Sequence, residues 1–157
     1  MRIDRILVPT DFSPSARAAL EYAQGLAGRF GSHIHLVHVL TAPPFVSDPL
    51  GTRRLTLQVA DLLKEAAGDA QRALDRIRVN PPLLDRTVRK TLAGTPVEVI
   101  IAYVKKQRID LVVMGTHGRG PLKHVLLGSV AERIVRHSPV PVVTVHAGRR
   151  RRWGSTA

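Results

Sequence analysis

The chain has 157 residues, enough for one domain with a full hydrophobic core and too few for two ordinary domains. It contains no cysteine, which excludes disulfides and thiolate chemistry, and no apolar run of about 18 residues, so no transmembrane helix is expected. A formal net charge of +12, from 24 Lys and Arg against 12 Asp and Glu, favours anionic ligands or surfaces but does not choose among nucleotide, nucleic acid and lipid.

A strand and an amphipathic helix are predicted at the start of the chain. Residues 3–8 are apolar nearly throughout, as expected of a strand covered on both faces. Ser13 and Pro14 predict the N-cap and first residue of a helix whose apolar stripe runs from Ala16 to Phe30, and Gly31 suits its end. The N-terminal segment lacks the long apolar core of a signal peptide. The absence of cysteine is compatible with a reducing cytoplasm, which is the expected location.

Three histidines mark the second predicted strand, His33 to Leu40. His33 and His35 share one face of that strand while His38 points to the other, so the three rings cannot converge on one metal ion. We expect them instead to cap the mouth of the strand and the edge of the sheet.

A loop, a long helix and a third strand follow. Residues 41–51 hold three prolines, which indicates a loop. Apolar residues keep helical spacing from Thr52 to Val79, and Asn80-Pro81-Pro82 is expected to stop the helix. Polar residues recur along residues 86–92, which predicts a partly exposed edge strand.

The rest of the chain predicts two more helices and two more strands. Thr95 is the expected N-cap of the third helix, with Pro96 as its first residue and Glu98 completing a capping box. Residues 109–114 form a branched apolar run that suits a buried fourth strand, and a fourth helix covers residues 130–136. The fifth strand starts near Pro141 and runs to about residue 146, and proline there suits an edge strand or a strand start.

A glycine-rich segment joins the fourth strand to the fourth helix. Its spacing, G-x2-G-x9-G-S, is neither a Walker A loop nor the dinucleotide-binding fingerprint, and is formed by Gly115, Gly118, Gly128 and Ser129. Glycines let the backbone approach a ligand and a helix start attracts anions, so the segment suits phosphate. The alternative is that the glycines only shape a turn. In either case Ser129 is expected to cap the helix, with Glu132 completing a capping box.

This spacing resembles the ATP-binding signature of the universal stress protein family, and in particular of its ATP-binding subgroup. Residues 8–13 look like the first strand and turn of that family, and residues 139–145 look like its last strand. The resemblance covers residues 1–147 as one domain. It implies a Rossmann-like α/β fold: an open, doubly wound sheet of five parallel strands in the order 3-2-1-4-5, with helices on both faces. Residues 148–157, which include Arg149–Arg152, are expected to be a disordered basic tail with at most weak polyanion contact.

The resemblance also implies a nucleotide site at the point where the strand order reverses. The adenosine end is expected at Pro9, Thr10, Asp11 and Val39. The ribose and first phosphates are expected at Met114, Gly115 and Gly118, and the distal phosphates at Gly128, Ser129 and Val130. Arg119 either adds a charge-assisted contact or is a solvated loop charge. The expected cofactor is ATP, with Mg²⁺ arriving on the phosphates.

The sequence allows three roles for Asp11. Its carboxylate is a hydrogen-bond acceptor for the nucleotide, a catalytic base, or a negative charge at a helix N-terminus, and the last needs no ligand. We favour nucleotide contact, with the helix charge as a by-product. No Walker B aspartate, catalytic triad or kinase signature is present, so at most a weak ATPase is expected.

The function implied by the resemblance is an ATP-binding, dimeric module of stress-response signalling or protection, paired through its fifth strand. The first alternative is a nucleotide-free member of the family that works by protein contacts. The second is a basic nucleic-acid-associated protein, although aromatic residues are only 4% and no RNA-binding aromatic motif is present.

Overall fold

Strands and helices alternate along the chain in the computed structural model, which describes residues 2–41, 53–116 and 127–147, with residues 53–60 described by their backbone alone. The strands are β1 (Arg5–Pro9), β2 (His33–Leu40), β3 (Thr87–Ala93), β4 (Leu111–Gly115) and β5 (Val142–Val145). The α-helices are α1 (Pro14–Phe30), α2 (Arg53–Asp75), α3 (Pro96–Lys106) and α4 (Ser129–His137), and a 3₁₀ helix covers Pro81–Arg86.

The five strands form one parallel sheet in the order β3-β2-β1-β4-β5. This confirms the predicted fold class and strand order. Because β1 lies between β2 and β4, the chain moves outward in one direction from β1 to β3 and then returns to build the other half of the sheet. The reversal opens a crevice beside the carboxyl ends of β1 and β4.

Each face of the sheet has its own apolar core. Successive residues of β1 alternate between them: Ile6 and Val8 face α1 and α2, while Leu7 faces α3 and α4. All three are fully buried. Burying such a side chain contributes roughly 1.5–3 kcal/mol, so covering both faces explains why the central strands are almost wholly apolar.

The ends of α1 match the sequence prediction. The Ser13 hydroxyl accepts a hydrogen bond from the Ala16 N–H at 3.2 Å, and Pro14 is the first helical residue. Gly31 ends the helix in the left-handed conformation, at φ 73°, and its N–H donates to the Ala27 carbonyl. Both caps use groups within four residues of the helix end, which is why the local sequence identifies them.

Other details differ from the prediction, and most strand and helix bounds shift by one or two residues. Thr95 is the N-cap of α3, but its side chain makes no capping hydrogen bond, so the predicted capping box is wrong. The long second helix ends at Asp75 rather than Val79, and β3 starts and ends one residue later than predicted. Distant side chains explain the early helix end: Arg89 donates to the Ile77 carbonyl and Gln24 accepts from the Asn80 N–H.

The histidines of β2 have three different environments. His33 is exposed at the start of the strand, so it caps neither the mouth nor the sheet edge, while His38 is half-buried near the strand's end, where its ring contacts the turn after β1. His35 is 7% exposed and hydrogen bonds to the Tyr103 hydroxyl of α3, so the capping role predicted for it is wrong. Among the residues that the structure describes, no cluster of three or more metal-ligating side chains is placed to hold a metal ion. No helix in the described ranges is long and apolar enough to cross a membrane.

Gly115, at the end of β4, touches the first turn of α1. A Cβ atom at this position would lie 2.7 Å from the carbonyl carbon and from the Cβ of Ser15, and 2.9 Å from the Ala16 nitrogen. Backbone atoms cannot move aside as a flexible side chain can. The absence of a side chain at Gly115 therefore sets the distance between β4 and α1.

We expect Gly115→Ala to lower the free energy of unfolding by about 1–3 kcal/mol, the usual cost of overpacking. Gly28→Ala is the matched control, because Gly28 is exposed in α1 and a Cβ there meets nothing within 4 Å. That control should stabilise the protein by roughly 0.5–1 kcal/mol through helix propensity. Urea unfolding measures both changes. If Gly115→Ala were as stable as the wild type, or more stable, the close approach between Gly115 and α1 would not exist.

Candidate functional site

A cavity of about 510 Å³ lies in the crevice at the carboxyl ends of the strands. The loop after β1 and the ends of β2 and β4 form its walls, together with the starts of α1, α3 and α4. In a parallel sheet every helix that follows a strand begins at this edge. Several helix N-termini, each with unpaired N–H groups and a partial positive charge, therefore surround one space.

Nine of the residues predicted for the nucleotide site line this cavity: Pro9, Thr10, Asp11, Val39, Met114, Gly115, Gly128, Ser129 and Val130. They come from four separate parts of the chain. The predicted residues Gly118 and Arg119 lie outside the described residues, and so does their neighbour His117. The fold thus brings every described residue of the predicted set into one place.

The turn after β1 is held by its own side chains. The Thr10 N–H donates to the Val37 carbonyl at 2.8 Å, and the Thr10 hydroxyl accepts from the Phe12 N–H at 3.1 Å. Asp11 Oδ1 accepts from the Ser13 N–H at 3.0 Å, next to the start of α1. The Asp11 carboxylate therefore has a structural role, as an acceptor beside the start of α1, that needs no ligand. Its contact with a nucleotide stays a prediction.

His38 is a cavity residue that the sequence analysis did not assign to the site. Its Nδ1 donates to the Thr10 carbonyl at 2.7 Å, which requires the proton on Nδ1 because a carbonyl only accepts. The ring also lies 4.6 Å from the Phe12 ring, between centroids. His38 thereby fixes the Thr10–Phe12 turn, where Phe12 has a φ of 65°.

The start of α4 forms the opposite wall. The Gly128 N–H donates to the Thr116 carbonyl at 2.6 Å, and the first hydrogen bond within the helix runs from the Glu132 N–H to the Gly128 carbonyl. The N–H groups of Ser129, Val130 and Ala131 precede that bond, so the helix itself offers them no acceptor. They are the donors that an anion in the cavity would meet.

The predicted cap of α4 is wrong in detail. Gly128 is the N-cap, no side chain caps the helix, and Ser129 is the first helical residue. The reason is that the Thr116 carbonyl holds Gly128 in an extended conformation, at φ −68° and ψ 152°, which places Ser129 one position further into the helix. The capping box with Glu132 is wrong for the same reason. The Ser129 side chain is instead exposed on the cavity wall.

Thr116 joins the end of β4 to two other elements. Its N–H donates to the Val145 carbonyl at 2.9 Å, its carbonyl accepts from Gly128, and its hydroxyl lies 3.1 Å from His146 Nδ1. One buried residue therefore connects β4, the last strand and the start of α4. No motif in the sequence indicates this role, because its partners lie 12 to 30 positions away.

The rest of the cavity wall is largely apolar. Val37, Ile100 and Leu127 line it from three different elements, beside the predicted residues Val39 and Met114. Such a space, with donors at one end, suits a ligand that has a flat apolar part and an anionic part. Its volume is within the usual range for small-molecule sites, roughly 300–1,000 Å³. The acidic side chains on the wall are Asp11 and Glu132, from different elements.

Comparison with known proteins gives a consistent result. The model of the universal stress protein family matches residues 2–146. Universal stress protein MJ0531 of Methanocaldococcus jannaschii is 32% identical over 142 residues, which cover 90% of this chain and 81% of that protein. Universal stress protein MJ0577 of the same organism is 28% identical over 151 residues, covering 90% of this chain and 93% of that protein.

Solved structures agree with the sequence matches. The structure of MJ0577 superposes with a TM-score of 0.74 at 26% identity, over 93% of this chain and 97% of that one. A universal stress protein solved in complex with cAMP gives a TM-score of 0.59 at 22% identity, over 94% of this chain and 100% of that one. At that identity the second match supports the fold alone.

Proposed function

This chain belongs to the universal stress protein family, and we propose that it binds ATP in the cavity at the carboxyl ends of the strands. The observation that carries the proposal is the row of N–H groups at Ser129, Val130 and Ala131, which belong to residues on the wall of a largely apolar space. We further propose that the protein acts as a homodimeric signalling or protective module of the stress response. The cytoplasm is the proposed compartment, since a chain without cysteine suits a reducing environment.

The phosphates belong at the start of α4 in this proposal. The helix N-terminus supplies N–H donors and a partial positive charge, and the Ser129 hydroxyl adds a donor from the same wall. Gly128 contributes differently from the sequence prediction, because its N–H is already donated to Thr116. Its contribution is the lack of a side chain, which leaves room for phosphate beside the helix.

The adenosine belongs at the apolar end, between Val39, Met114 and the turn after β1. His38 and Val37 hold that turn through the backbone of Thr10, so Thr10 and Asp11 line the cavity in a fixed geometry. Fixing the wall before the ligand arrives reduces the entropy that binding costs. A Mg²⁺ ion would come with the phosphates, and Glu132, which pairs with Arg136 at 3.2 Å, is the acidic side chain at that end of the wall.

We expect Gly128→Val to weaken ATP binding by about tenfold or more, because a branched side chain displaces phosphate from its charge-assisted donors. The backbone at Gly128 has a conformation open to any residue, so the fold should survive. Gly28→Val makes the same substitution on an exposed face of α1, away from the cavity, and should bind ATP like the wild type. Calorimetry measures the affinities, and equal ATP affinity in both variants would contradict the phosphate assignment.

We expect ATP turnover to be below the roughly 1–100 s⁻¹ that is typical of kinases. Phosphoryl transfer depends on positioning a nucleophile in line with the γ-phosphate, and the described cavity residues provide no motif known to do so. Phosphate release at saturating ATP and Mg²⁺ measures the rate, with Gly128→Val as the control for contaminating ATPase. A rate within that range that Gly128→Val abolishes would reveal a catalytic group in this site.

The proposed dimer pairs β5 with its copy across a two-fold axis. The two edges of the sheet differ: on β3 the Thr91 N–H and hydroxyl both donate to the Gln71 side chain of α2, at 3.1 Å each, which blocks pairing there. On β5 the carbonyls of Pro141 and Val145 face β4. Because backbone groups alternate along a strand, those of Val142 and Thr144 point to the open side. Every residue of β5 is half-buried in the single chain.

We expect Thr144→Pro to convert the dimer to a monomer, because proline removes an N–H on the open side without touching the hydrogen bonds to β4. Thr144→Ala is the control, since it removes the same side chain but keeps the N–H. Light scattering at micromolar concentration measures the mass. A wild-type monomer, or a Thr144→Pro variant that remains dimeric, would exclude pairing through β5.

A further inference from the structure

A second cavity, of about 460 Å³, lies at the opposite edge of the sheet, where β1 and β2 begin and α1 ends. Six residues line it: Arg2, Asp4, Arg5, Gly31, His33 and His35. Four of these side chains are cationic or can become so, and Asp4 is the one acid among them. The strands separate this cavity from the proposed nucleotide site, which lies at their other ends.

His35 forms the inner wall of this cavity. The residue is 7% exposed, and its Nδ1 lies 3.0 Å from the Tyr103 hydroxyl, with the two rings packed edge to face. Within the part of the chain that the structure describes, the other ring nitrogen, Nε2, has no hydrogen-bond partner. Burial lowers the pKa of His35, and repulsion from Arg5 and His33 lowers it further. The positive charge of Arg5 and His33 therefore acts on a ring nitrogen that has no partner and is not fully enclosed by protein.

The two arginines retain donors for a ligand. Arg5 donates one guanidinium nitrogen, Nη1, to the Gln107 carbonyl at 3.2 Å, which leaves most of its N–H groups for another acceptor. Arg2 pairs with Asp4 at 2.7 Å, and their side chains are 89% and 51% exposed. An ion pair so exposed contributes little to stability, so an anionic ligand competes with it easily.

The backbone around the cavity is held in place before any ligand binds. Asp110 Oδ2 accepts from the N–H groups of both Asp4 and Arg5, at 2.9 Å each. The His33 N–H donates to the Asp4 carbonyl at 2.8 Å, and the Arg86 guanidinium lies 3.4 Å from the Gly31 carbonyl. These contacts connect the start of β1, the start of β2 and the end of α1, so Arg5 and His33 project from fixed backbone positions.

We propose that this cavity binds a small soluble anion that carries a phosphate group. Arg2 and Arg5 supply planar N–H forks that match phosphate oxygens, while His33 and His35 supply single donors from the side and from the interior. A compact tetrahedral anion uses donors from several directions at once, which a flat carboxylate does not. The inference does not depend on ATP binding, because the two cavities share no residue.

Titration of the ¹⁵N-labelled full-length protein with sodium pyrophosphate tests the proposal at residue level. We expect saturable shifts of the amide signals of Arg5 and of residues 31–33, and an increase in the pKa of His35 measured on its ring protons, since a bound anion offsets the positive neighbours. A separate response at Ser129 and Val130 would report the nucleotide site. The result at one cavity is thus read independently of the other.

Substitutions then locate the binding. Arg5→Gln should weaken the response at residues 31–33 about tenfold, the effect of losing a charge-assisted contact, and leave any response at Ser129 unchanged. Arg29→Gln is the control, because Arg29 is exposed in the last turn of α1, near this cavity, but does not line it. His33→Gln is a milder second variant, because the His33 side chain is exposed. If Arg5→Gln does not fold, His33→Gln replaces it and should likewise weaken the response.

Three results would overturn the proposal. One is the absence of saturable shifts at residues 31–33, or the same shifts with sodium chloride at equal ionic strength, which would indicate screening only. Another is equal weakening by Arg5→Gln and Arg29→Gln, which would indicate diffuse positive charge. The third is sedimentation with vesicles of phosphatidic acid and phosphatidylcholine that Arg5→Gln abolishes, which would assign the phosphate to a lipid headgroup instead.

Discussion

The close contact between the end of β4 and the first turn of α1 is the constraint on which the proposed site depends. Gly115 has no side chain, so β4 lies against the backbone of Ser15 and Ala16. The loop after β1 and the segment after β4 then face each other across one crevice, with the starts of α1 and α4 beside it. A wider spacing would separate the wall proposed for adenosine from the donors proposed for phosphate. Protein packing alone requires a glycine at this position, whether or not a ligand is bound.

Apolar periodicity and local capping residues predict most of the fold. The branched runs of β1 and β4 and the stripe of α1 follow from burial, and Ser13 and Gly31 end α1 through groups a few residues away. The strand order came from the family resemblance, since periodicity does not determine which strands are neighbours. The errors occur where distant groups capture a helix end: the Thr116 carbonyl moves the cap of α4 to Gly128, and Arg89 and Gln24 end α2 early.

In the candidate site, too, local patterns were predictable from the sequence and contacts between distant residues were not. Its glycines and the turn after β1 belong to a recognisable pattern, and the fold brings the described ones together. His38 and Thr116 do not belong to that pattern, because they act through hydrogen bonds to residues far away in the chain. The basic cavity at the other edge of the sheet was equally hidden: His35 was expected to cap the sheet and is instead buried against Tyr103. Net charge indicated anionic partners, but only the fold shows where cationic side chains gather.

The proposed function requires that the N–H groups at the start of α4 hold the phosphates of ATP. A crystal structure of the protein grown at saturating ATP and Mg²⁺ would show whether they do. We expect phosphate oxygens within about 2.7–3.2 Å of the backbone nitrogens of Ser129 and Val130, and the adenine beside Val39. A nucleotide bound elsewhere, or a cavity without nucleotide at that concentration, would contradict the proposal.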